Sequence, residues 1–375
     1  MFTPAGEKRG RGFPSLAKDG LAVFRLMSLL RSVAWPARAA ALAAAVPREH
    51  LHPAVLAWSV SRSAAARGPW AVALSGGADS IALLLLLWAH WPERRTRLVA
   101  LNFNHRLRGA ASDGDVGFCR QVCRALRVRL RVGCWRGACA GASEAAARTA
   151  RLAFFDRAMS AVNPGALWLG HQQDDVAETF FMRLARGSGT AGLAAPRPVQ
   201  PMPGGCVRLR PLLTLKKAEI SVALRAARIP WREDASNAGD DYFRNRIRRT
   251  VLPAWQRAAR GRDALDGAAL ARELLDEDDA ALEAWLDELR PLRRGAVLDL
   301  PALAGRPRAL WRRALHRWLA ATPYRGDLSR QGFAALLVAA MRGRSTRHSL
   351  GREGFAVIRH GRLCYKKTRS PSARK

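Results

Sequence analysis

The chain has 375 residues, and its 63 Lys and Arg against 30 Asp and Glu give a formal net charge of +33. At about 150 residues per domain, this length predicts two or three domains and a sizeable core. The charge excludes an acidic, solvating protein and favours a polyanionic partner such as a nucleic acid.

The cysteines and the apolar runs narrow the class of protein further. Six cysteines in a chain of this length do not form a disulfide framework, and none of them makes a C-x-x-C pair. The longest apolar run, Ile81–Trp91, is far shorter than the roughly 20 residues that a membrane-spanning helix needs. We therefore expect a cytoplasmic protein with no membrane segment, and nothing in the sequence specifies its oligomeric state.

Short apolar runs alternate with helical stretches through the middle of the chain. The runs predict strands at 71–74, 98–103, 128–132, 166–169 and 207–213. Helices are predicted at 80–91, 112–127, 143–162, 173–186 and 215–228. This alternation is typical of an α/β fold with a doubly wound, mostly parallel sheet, in which ligands bind at the carboxyl ends of the strands.

Composition divides the chain into four predicted parts. Residues 1–49 form an N-terminal extension that could be disordered, and residues 50–253 form the α/β domain. A helical, acidic linker is predicted over 254–292, followed by a smaller basic C-terminal domain over 293–368. Within the linker, the acidic stretch 273–288 also carries apolar residues at helical spacing, so we expect a solvated helix that faces away from the polyanion.

A glycine-rich loop follows the first predicted strand and opens a helix. It consists of Ser75, Gly76, Gly77, Ala78, Asp79 and Ser80. The glycines let the backbone turn tightly, and the amide groups at the start of a helix favour an anion. Because a carboxylate beside phosphates is repulsive unless a cation lies between them, Asp79 suggests Mg²⁺. We therefore predict a phosphate-binding loop rather than an ordinary strand–helix turn.

Three acidic residues, Asp174, Asp175 and Glu178, follow the fourth predicted strand. If a helix begins near residue 173, their spacing places them on one face. At the ligand edge of the sheet they could hold Mg²⁺ or a cationic substrate, while plain capping of the helix N-terminus is the alternative. His171, which precedes them, would on its own more often be a structural histidine.

Basic side chains cluster at three further places. They follow the second strand at His105 and Arg108, occur at Arg148 in a predicted helix, and recur beside aromatic residues at 242–249. Arginines interleaved with aromatic residues suit contact with RNA phosphates and stacking on bases. Because a charge run is usually a solvated face, each cluster taken singly is a weak indication.

Taken in chain order, the motifs resemble those of a known family. Ser-Gly-Gly-x-Asp-Ser after a strand is the PP-loop of ATP pyrophosphatases, which cleave ATP to AMP and pyrophosphate. The further motifs are His105–Gly109, Glu144–Arg148, Gly170–Thr179, Arg186–Gly189, Arg210–Leu213, Asp234–Asn237 and Arg244–Arg246. As an ordered set within residues 50–255 they resemble the tRNA(Ile)-lysidine synthase family. The chain departs from that family at Gln172, where a second histidine is usual, and at Ala235, where proline is usual.

The resemblance implies an RNA-modifying ligase that uses ATP and Mg²⁺. Its substrates would be free L-lysine and tRNA(Ile) with a CAU anticodon, whose wobble cytidine receives lysine at C2 after adenylation. It implies catalytic roles for Asp79, His171, Asp175 and Glu178, and metal binding by Asp79 and Asp174. Contacts to tRNA or phosphate would come from the basic C-terminal region and from His105, Arg108, Arg148, Arg244, Arg246 and Arg248.

Two other functions stay open at the level of sequence. A PP-loop tRNA sulfurtransferase would share the loop, but such enzymes need redox or cluster-binding cysteines, usually as C-x-x-C, and the spacings here differ. A non-enzymatic basic RNA-binding protein with a degenerate nucleotide fold is the second. The intact Ser75–Ser80 loop and the acids at 174–178 argue against it.

Overall fold

The computed structural model describes residues 34–61, 68–106, 110–135, 144–161, 165–233, 242–323, 328–351 and 354–368. The chain divides into two compact units. Unit 1 comprises the residues up to Ser188 together with Ala195–Arg272, and unit 2 comprises Gly189–Ala194 together with Glu273–Lys375. Each unit has its own sheet and its own hydrophobic core.

Unit 1 is built on a six-stranded sheet. Its strands are β1 Trp70–Ala73, β2 Leu98–Asn104, β3 Arg129–Cys134, β4 Ala166–Trp168, β5 Val199–Pro201 and β6 Val207–Leu209. They lie in the order β3-β2-β1-β4-β6-β5, and all neighbours are parallel except β5, which is antiparallel to β6. The predicted, mostly parallel α/β fold is confirmed; the short edge strand β5 was not predicted.

The helices of unit 1 alternate with these strands. They are α1 34–45, α2 Pro53–Val60, α3 Ala78–His90, α4 Ala110–Ala125, α5 Glu144–Ser160, α6 Gln173–Leu184 and α7 Lys217–Ala226. After them, α8 Phe243–Arg246 continues through a π-helical turn, Ile247–Val251, into α9 Leu252–Ala258. The long helix α10, Ala264–Leu289, begins in unit 1 and belongs to unit 2 from Glu273 onward. The five helices predicted from periodicity are all present. Among the helices that the structure describes, none combines the length and apolarity that a membrane span requires.

The core of unit 1 follows from the apolar runs in the sequence. β1 and β2 are buried on both faces, as expected for parallel strands covered by helices on each side. In α3 the residues Ser80–Leu87 are all buried, so this helix is apolar all round. β1 pairs directly with β4, and Trp70 and Trp168 pack with ring centroids 4.5 Å apart. The carboxyl ends of β1 and β4, where the two principal motifs begin, are therefore neighbours.

Part of the predicted N-terminal extension belongs to this core. Residues 34–45 form α1, and its apolar residues recur at helical spacing. The buried ones are Trp35, Ala39, Leu42 and Val46. The expectation that the extension 1–49 could be disordered is therefore wrong from residue 34 onward, because this apolar stripe packs inside the domain. Residues 1–33 lie outside the described part of the chain.

Unit 2 combines an antiparallel sheet with helices. Its strands are β7 Leu292–Arg293, β8 Val297–Asp299, β9 Thr346–Ser349, β10 Gly354–Arg359 and β11 Arg362–Lys367, in the order β7-β8-β11-β10-β9. The helices α11 Arg308–Ala321 and α12 Arg330–Arg342 supply the other side of the core. Trp318 is fully buried there and donates its indole N–H to Ala296 O at 2.9 Å.

Three acids of the stretch 273–288 form ion pairs with arginines of α11. On α10 the carboxylates of Asp279, Glu283 and Asp287 follow one another at intervals of four residues. Arg313 of α11 pairs with Asp279 and Glu283, and Arg317 pairs with Glu283 and Asp287. The expectation of a solvated helix is wrong for Asp279, which is buried, whereas Glu283 is only half-buried and Asp287 is exposed while they pair with arginines. Two arginines four residues apart on α11 match the spacing of the three acids.

Candidate active site

The Ser75–Ser80 loop joins β1 to α3 and is held in shape by its own serines. Ser80 Oγ accepts the amide protons of Ser75 and Gly76, both at 3.2 Å, and donates to Gly77 O at 2.9 Å. Ser75 Oγ accepts the Gly77 amide proton at 3.3 Å. The two hydroxyl groups therefore hold the backbone of the loop in shape. This structural role of Ser75 and Ser80 is additional to any contact with phosphate.

The start of α3 faces the inside of this loop. The helix begins at Ala78 with Gly77 at the N-cap, and no side chain caps it. The amide groups in the first turn of a helix have no partner within the helix. Gly76 has a φ of +92°, which favours glycine, and a side chain there would also approach Cys119 Sγ to 3.3 Å. The loop thus offers an anion the amide groups and the dipole of a helix N-terminus.

Gly170 brings the second motif against the first. A Cβ at this position would lie 2.9 Å from Asp79 O and 3.1 Å from the carbonyl carbon of Asp79. Backbone atoms cannot yield to such a contact, so only glycine allows the approach. The chain that leaves β4 therefore runs directly against the first turn of α3.

Asp79 is a half-buried residue, and one oxygen of its carboxylate is buried. Its Oδ1 atom has no hydrogen-bond partner. The pKa of Asp79 is raised to about 7, first by burial and then by the carboxylates of Asp175 and Asp174, against the lowering effect of Lys217 and Arg248. A buried carboxylate oxygen without a donor is costly unless a proton or a cation reaches it.

These features of Asp79 fit a cation such as Mg²⁺. Mg²⁺ is usually held by one or two carboxylates together with phosphate oxygens and water, rather than by a full cage of side chains. The described ranges contain no group of three or more His, Cys, Asp or Glu residues placed to hold a metal ion. Asp174, the second predicted ligand, accepts the Lys217 amide proton through Oδ2 at 2.9 Å, so one of its oxygens already serves the start of α7.

The start of α6 is capped by its own side chains. α6 begins at Gln173, and Gln172 Oε1 accepts the amide protons of Asp174 at 2.5 Å and Asp175 at 3.4 Å. In return, Asp175 Oδ2 accepts the Gln172 amide proton at 3.0 Å, which completes a capping box. Asp175 therefore caps the N-terminus of α6, as the alternative to a ligand-binding role predicted. Gln172, which stands where the resembled family usually has histidine, acts as the cap.

Asp175 and Glu178 are bound by two arginines. Arg244 donates to Asp175 Oδ1 at 2.5 Å and to Glu178 Oε2 at 2.6 Å. Arg248 donates to both oxygens of Glu178, at 2.5 and 3.1 Å. Glu178 is 0% exposed and Asp175 is 8% exposed. Instead of an open acidic pocket, the structure has an acid–arginine cluster made of Asp175, Glu178, Arg244 and Arg248.

The acid–arginine cluster joins residues for which the sequence predicted separate roles. Arg244 and Arg248 were expected to contact tRNA, whereas here they neutralise the two acids that were expected to be catalytic. The arginines lie four residues apart where α8 enters the π-helical turn, and the acids lie three apart on α6. π-Helical turns are frequent at functional sites. The matching spacing of opposite charges is the signal that sequence reasoning missed.

The remaining predicted residues fall into two groups. His105 directly follows β2 and packs edge-on against Phe103, with ring centroids 4.9 Å apart. Arg148 on α5 and Arg246 on α8 are exposed. Arg108 and the motif at 234–237 lie outside the residues that the structure describes.

Arg210 is a site residue whose role was not predicted. It directly follows β6, is 6% exposed, and donates from Nε to His171 Nδ1 at 3.0 Å. Burial and the charges of Arg208 and Arg148 lower the pKa of Arg210 to about 10. Burial, with Arg210 as the strongest of the nearby charges, holds the pKa of His171 well below its usual value. An arginine directly after a buried strand at the ligand edge was the available signal.

Comparison with known families defines the class of this protein. Residues 56–255, more than half of the chain, match the PP-loop domain family ATP_bind_3. The chain therefore belongs to the PP-loop domain family, and this membership supports the use of ATP. The predicted PP-loop at Ser75–Ser80 lies within the matched range.

The curated relatives narrow that class. A tRNA(Ile)-lysidine synthase from Geobacter sulfurreducens is 38% identical over 279 residues, covering 70% of this chain and 56% of its own. One from Solibacter usitatus is 45% identical over 185 residues, covering 49% and 40%. One from Pseudomonas aeruginosa is 38% identical over 247 residues, covering 64% and 54%. The resemblance found from the ordered motifs is confirmed, and the chain spans about half the length of the curated relatives it matches.

Among solved structures, a U34-tRNA thiolase from Methanococcus maripaludis aligns with 56% of this chain and 72% of its own. Its TM-score is 0.47 and its identity is 17%, a likeness that supports no functional assignment. The fold class rests instead on the strand order and on the family match.

Proposed function

We propose that this protein ligates L-lysine to C2 of the wobble cytidine in the CAU anticodon of tRNA(Ile), in a reaction driven by ATP. The products are lysidine in the tRNA, AMP and pyrophosphate. One observation carries the proposal: the PP-loop, the partnerless oxygen of Asp79 and the acids of α6 meet at one edge of the sheet. The names of the curated relatives supply the pair of substrates.

In the first step, the C2 carbonyl oxygen of the cytidine attacks the α-phosphate of ATP, and pyrophosphate leaves. The amide groups at the start of α3 bind the departing phosphates, since they are directed into the loop and have no partner within the helix. Asp79 would hold Mg²⁺, which would supply positive charge beside these phosphates. Asp79 would be ionised in that complex, because a bound cation favours the charged form over the proton that burial otherwise retains up to about pH 7.

In the second step, the ε-amine of lysine attacks C2, AMP leaves with the bonding electrons, and the amine nitrogen loses a proton. Asp175 and Glu178 receive the lysine amine in this proposal, after Arg244 and Arg248 have moved from them to phosphates of the tRNA. The exchange replaces two guanidinium groups by one ammonium group, so the pair of acids keeps a net negative charge beside the amine. A carboxylate released from its guanidinium partner can also accept the proton that the amine loses.

The cysteines argue against the sulfurtransferase alternative. Cys119 and Cys123 are buried, and burial raises the pKa of each to about 12, so neither is a thiolate near neutral pH. The other described cysteines, Cys134, Cys206 and Cys364, belong to different strands or loops. None of the described cysteines takes part in a group placed to hold a metal.

The proposal assigns tRNA binding to two parts of the chain. Residues 50–253 form the catalytic domain, where His105, Arg108, Arg148 and Arg246 contact the tRNA or its phosphates near the anticodon. The basic segment 293–368 binds the body of the tRNA through its phosphates, which the net charge of +33 supports. The reaction then takes place in the cytoplasm, where its tRNA substrate is found.

Exchange of labelled pyrophosphate into ATP tests the adenylation step. We expect exchange that depends on a tRNA(Ile) transcript with a CAU anticodon and that proceeds without lysine. A matched transcript with uridine in place of the wobble cytidine should give none. Exchange without tRNA, or equal exchange with both transcripts, contradicts the proposal; a non-enzymatic RNA-binding protein would bind both transcripts and catalyse neither exchange.

A further inference from the structure

Arg210 is a buried guanidinium whose hydrogen bonds go to neutral acceptors. Its Nε donates to His171 Nδ1 at 3.0 Å, and its two terminal nitrogens donate to Arg197 O at 2.6 Å and Gln200 Oε1 at 2.9 Å. Buried arginines are ordinarily paired with a carboxylate, because an uncompensated buried charge is costly. Arg210 instead uses its position, directly after β6, to hold one imidazole ring.

The contact fixes which nitrogen of His171 carries the proton. A guanidinium can only donate, so Nδ1 of His171 must be the acceptor, and the ring proton of the neutral imidazole lies on Nε2. Burial and the charges of Arg210, Arg244, Arg151 and Arg148 hold the pKa of His171 well below its usual value. His171 is therefore a neutral hydrogen-bond donor near pH 7 and does not act as a general base.

The surroundings of this donor are cationic. The strongest charges acting on His171 are those of Arg210, Arg244, Arg151 and Arg148. Arg210, whose hydrogen bonds described above all go to neutral acceptors, lies beside a neutral N–H donor, and such a pair suits the charge of an oxyanion.

We propose that His171 and Arg210 form an oxyanion subsite for a phosphate group. His171 donates from Nε2 to a phosphate oxygen, and Arg210 is the positioning residue that fixes the ring. The identity of the phosphate rests on the proposed function: it belongs either to ATP or to the RNA backbone at the anticodon. The subsite itself does not depend on lysine transfer.

The test of the positioning role uses nitrogen NMR of the full chain labelled at histidine. The His171 signals are identified by their loss in His171→Gln. We expect the Nε2–H tautomer and no titration between pH 5.5 and 8.5, whereas in Arg210→Gln the ring should titrate closer to the usual histidine pKa, about 6.5. His90, whose Nε2 lies 3.0 Å from Val46 O, is the internal control and should not change. A wild-type ring that carries its proton on Nδ1, or that titrates normally, overturns the proposal.

Arg210→Lys keeps the charge and removes the fork of donors, so it covers the case in which Arg210→Gln does not fold. The Lys variant should retain the His90 signal and lose the single tautomer of His171. A variant that keeps both signals unchanged shows that Arg210 does not position the ring.

The ligand is tested by adding MgATP and a tRNA(Ile) transcript separately. A shift of the His171 Nε2 signal with MgATP alone assigns the subsite to the nucleotide, and a shift with tRNA alone assigns it to the RNA backbone. His171→Ala should then weaken binding of that ligand about tenfold, as expected for a hydrogen bond to a charged group. No shift with either ligand contradicts the subsite. This result is independent of lysine incorporation, so the two proposals can fail separately.

Discussion

Asp79 and Glu178 are acids at the same edge of one sheet, yet they stand in opposite electrostatic states. Oδ1 of Asp79 is buried without a partner, and the pKa of Asp79 is raised to about 7. Both oxygens of Glu178 accept hydrogen bonds from guanidinium groups, although the side chain is 0% exposed. The difference between the two acids follows from the number of hydrogen-bond donors rather than from burial. Arginines already balance the charge of Glu178, whereas Asp79 still needs a proton or a cation.

The substitution Asp79→Asn is the strongest test of the difference between Asp79 and Glu178. The amide is nearly isosteric but cannot be ionised or balance Mg²⁺, so tRNA-dependent pyrophosphate exchange should fall at least about a hundredfold, the scale of one lost electrostatic stabiliser. Asp156→Asn is the matched control, because Asp156 is exposed and pairs with Arg208 at 3.2 Å. Its exchange rate should equal that of the wild type. Near-normal exchange by Asp79→Asn at saturating Mg²⁺ would remove Asp79 from the mechanism.

Glu178→Gln should have the next largest effect, and on stability. The substitution leaves Arg244 and Arg248 without their buried counter-charge, which should lower the free energy of unfolding by about 2–4 kcal/mol. Glu283 of unit 2 also binds two arginines, but its side chain is 37% exposed. Glu283→Gln should cost at most about 1 kcal/mol, since solvent screens that pair. Urea unfolding of the two variants measures the difference, and equal losses would show that burial of the acid is irrelevant.

The raised pKa of Asp79 predicts a stability that depends on pH. The folded protein keeps the Asp79 proton up to about pH 7, whereas the unfolded chain releases it near 3.8, so wild-type stability falls as pH rises between these values. Asp79→Asn lacks this loss. The melting temperature of the variant should therefore exceed that of the wild type by more at pH 8 than at pH 5. A constant difference between pH 5 and pH 8 would mean that Asp79 is ionised at both.

The smallest expected effect concerns Arg246, which is compared with Arg248 of the same helical segment. Arg246 is exposed, so Arg246→Gln should leave stability unchanged and reduce the slope of log affinity for tRNA against log salt by about 0.7–0.9, the release of one counterion. Arg248 is bound to Glu178 and contacts tRNA phosphates only after it leaves this acid, so Arg248→Gln should lower stability in addition to reducing the slope. Filter binding over a salt series, with urea unfolding beside it, gives both quantities. An unchanged slope for Arg246→Gln would show that this arginine does not contact tRNA phosphates.

The sequence predicted most of what local patterns control. Strand–helix alternation, the loop at Ser75–Ser80 and the start of α6 near Gln173 all follow from residues close together in the chain. These features depend on hydrophobic periodicity and turn chemistry, which a single sequence displays.

The pairing of charges could not be predicted in the same way. The contact between Glu178 and Arg244 joins residues 66 positions apart, and the contact between His171 and Arg210 joins residues 39 apart. Only the fold brings such groups together, so each charge taken alone looked available to a ligand. The same reason applies to α10, where Asp279 and Glu283 looked solvated until α11 supplied Arg313.

Incorporation of radiolabelled lysine into tRNA is the most direct measurement of the proposed activity. With the full chain, ATP and Mg²⁺, label should enter a tRNA(Ile) transcript that has a CAU anticodon, in proportion to the AMP released. Incorporation should be absent without ATP, absent with the uridine-substituted transcript, lost in Asp79→Asn and retained in Asp156→Asn. Folded protein that binds the transcript and ATP but transfers no lysine, or that labels both transcripts equally, would contradict the proposed function.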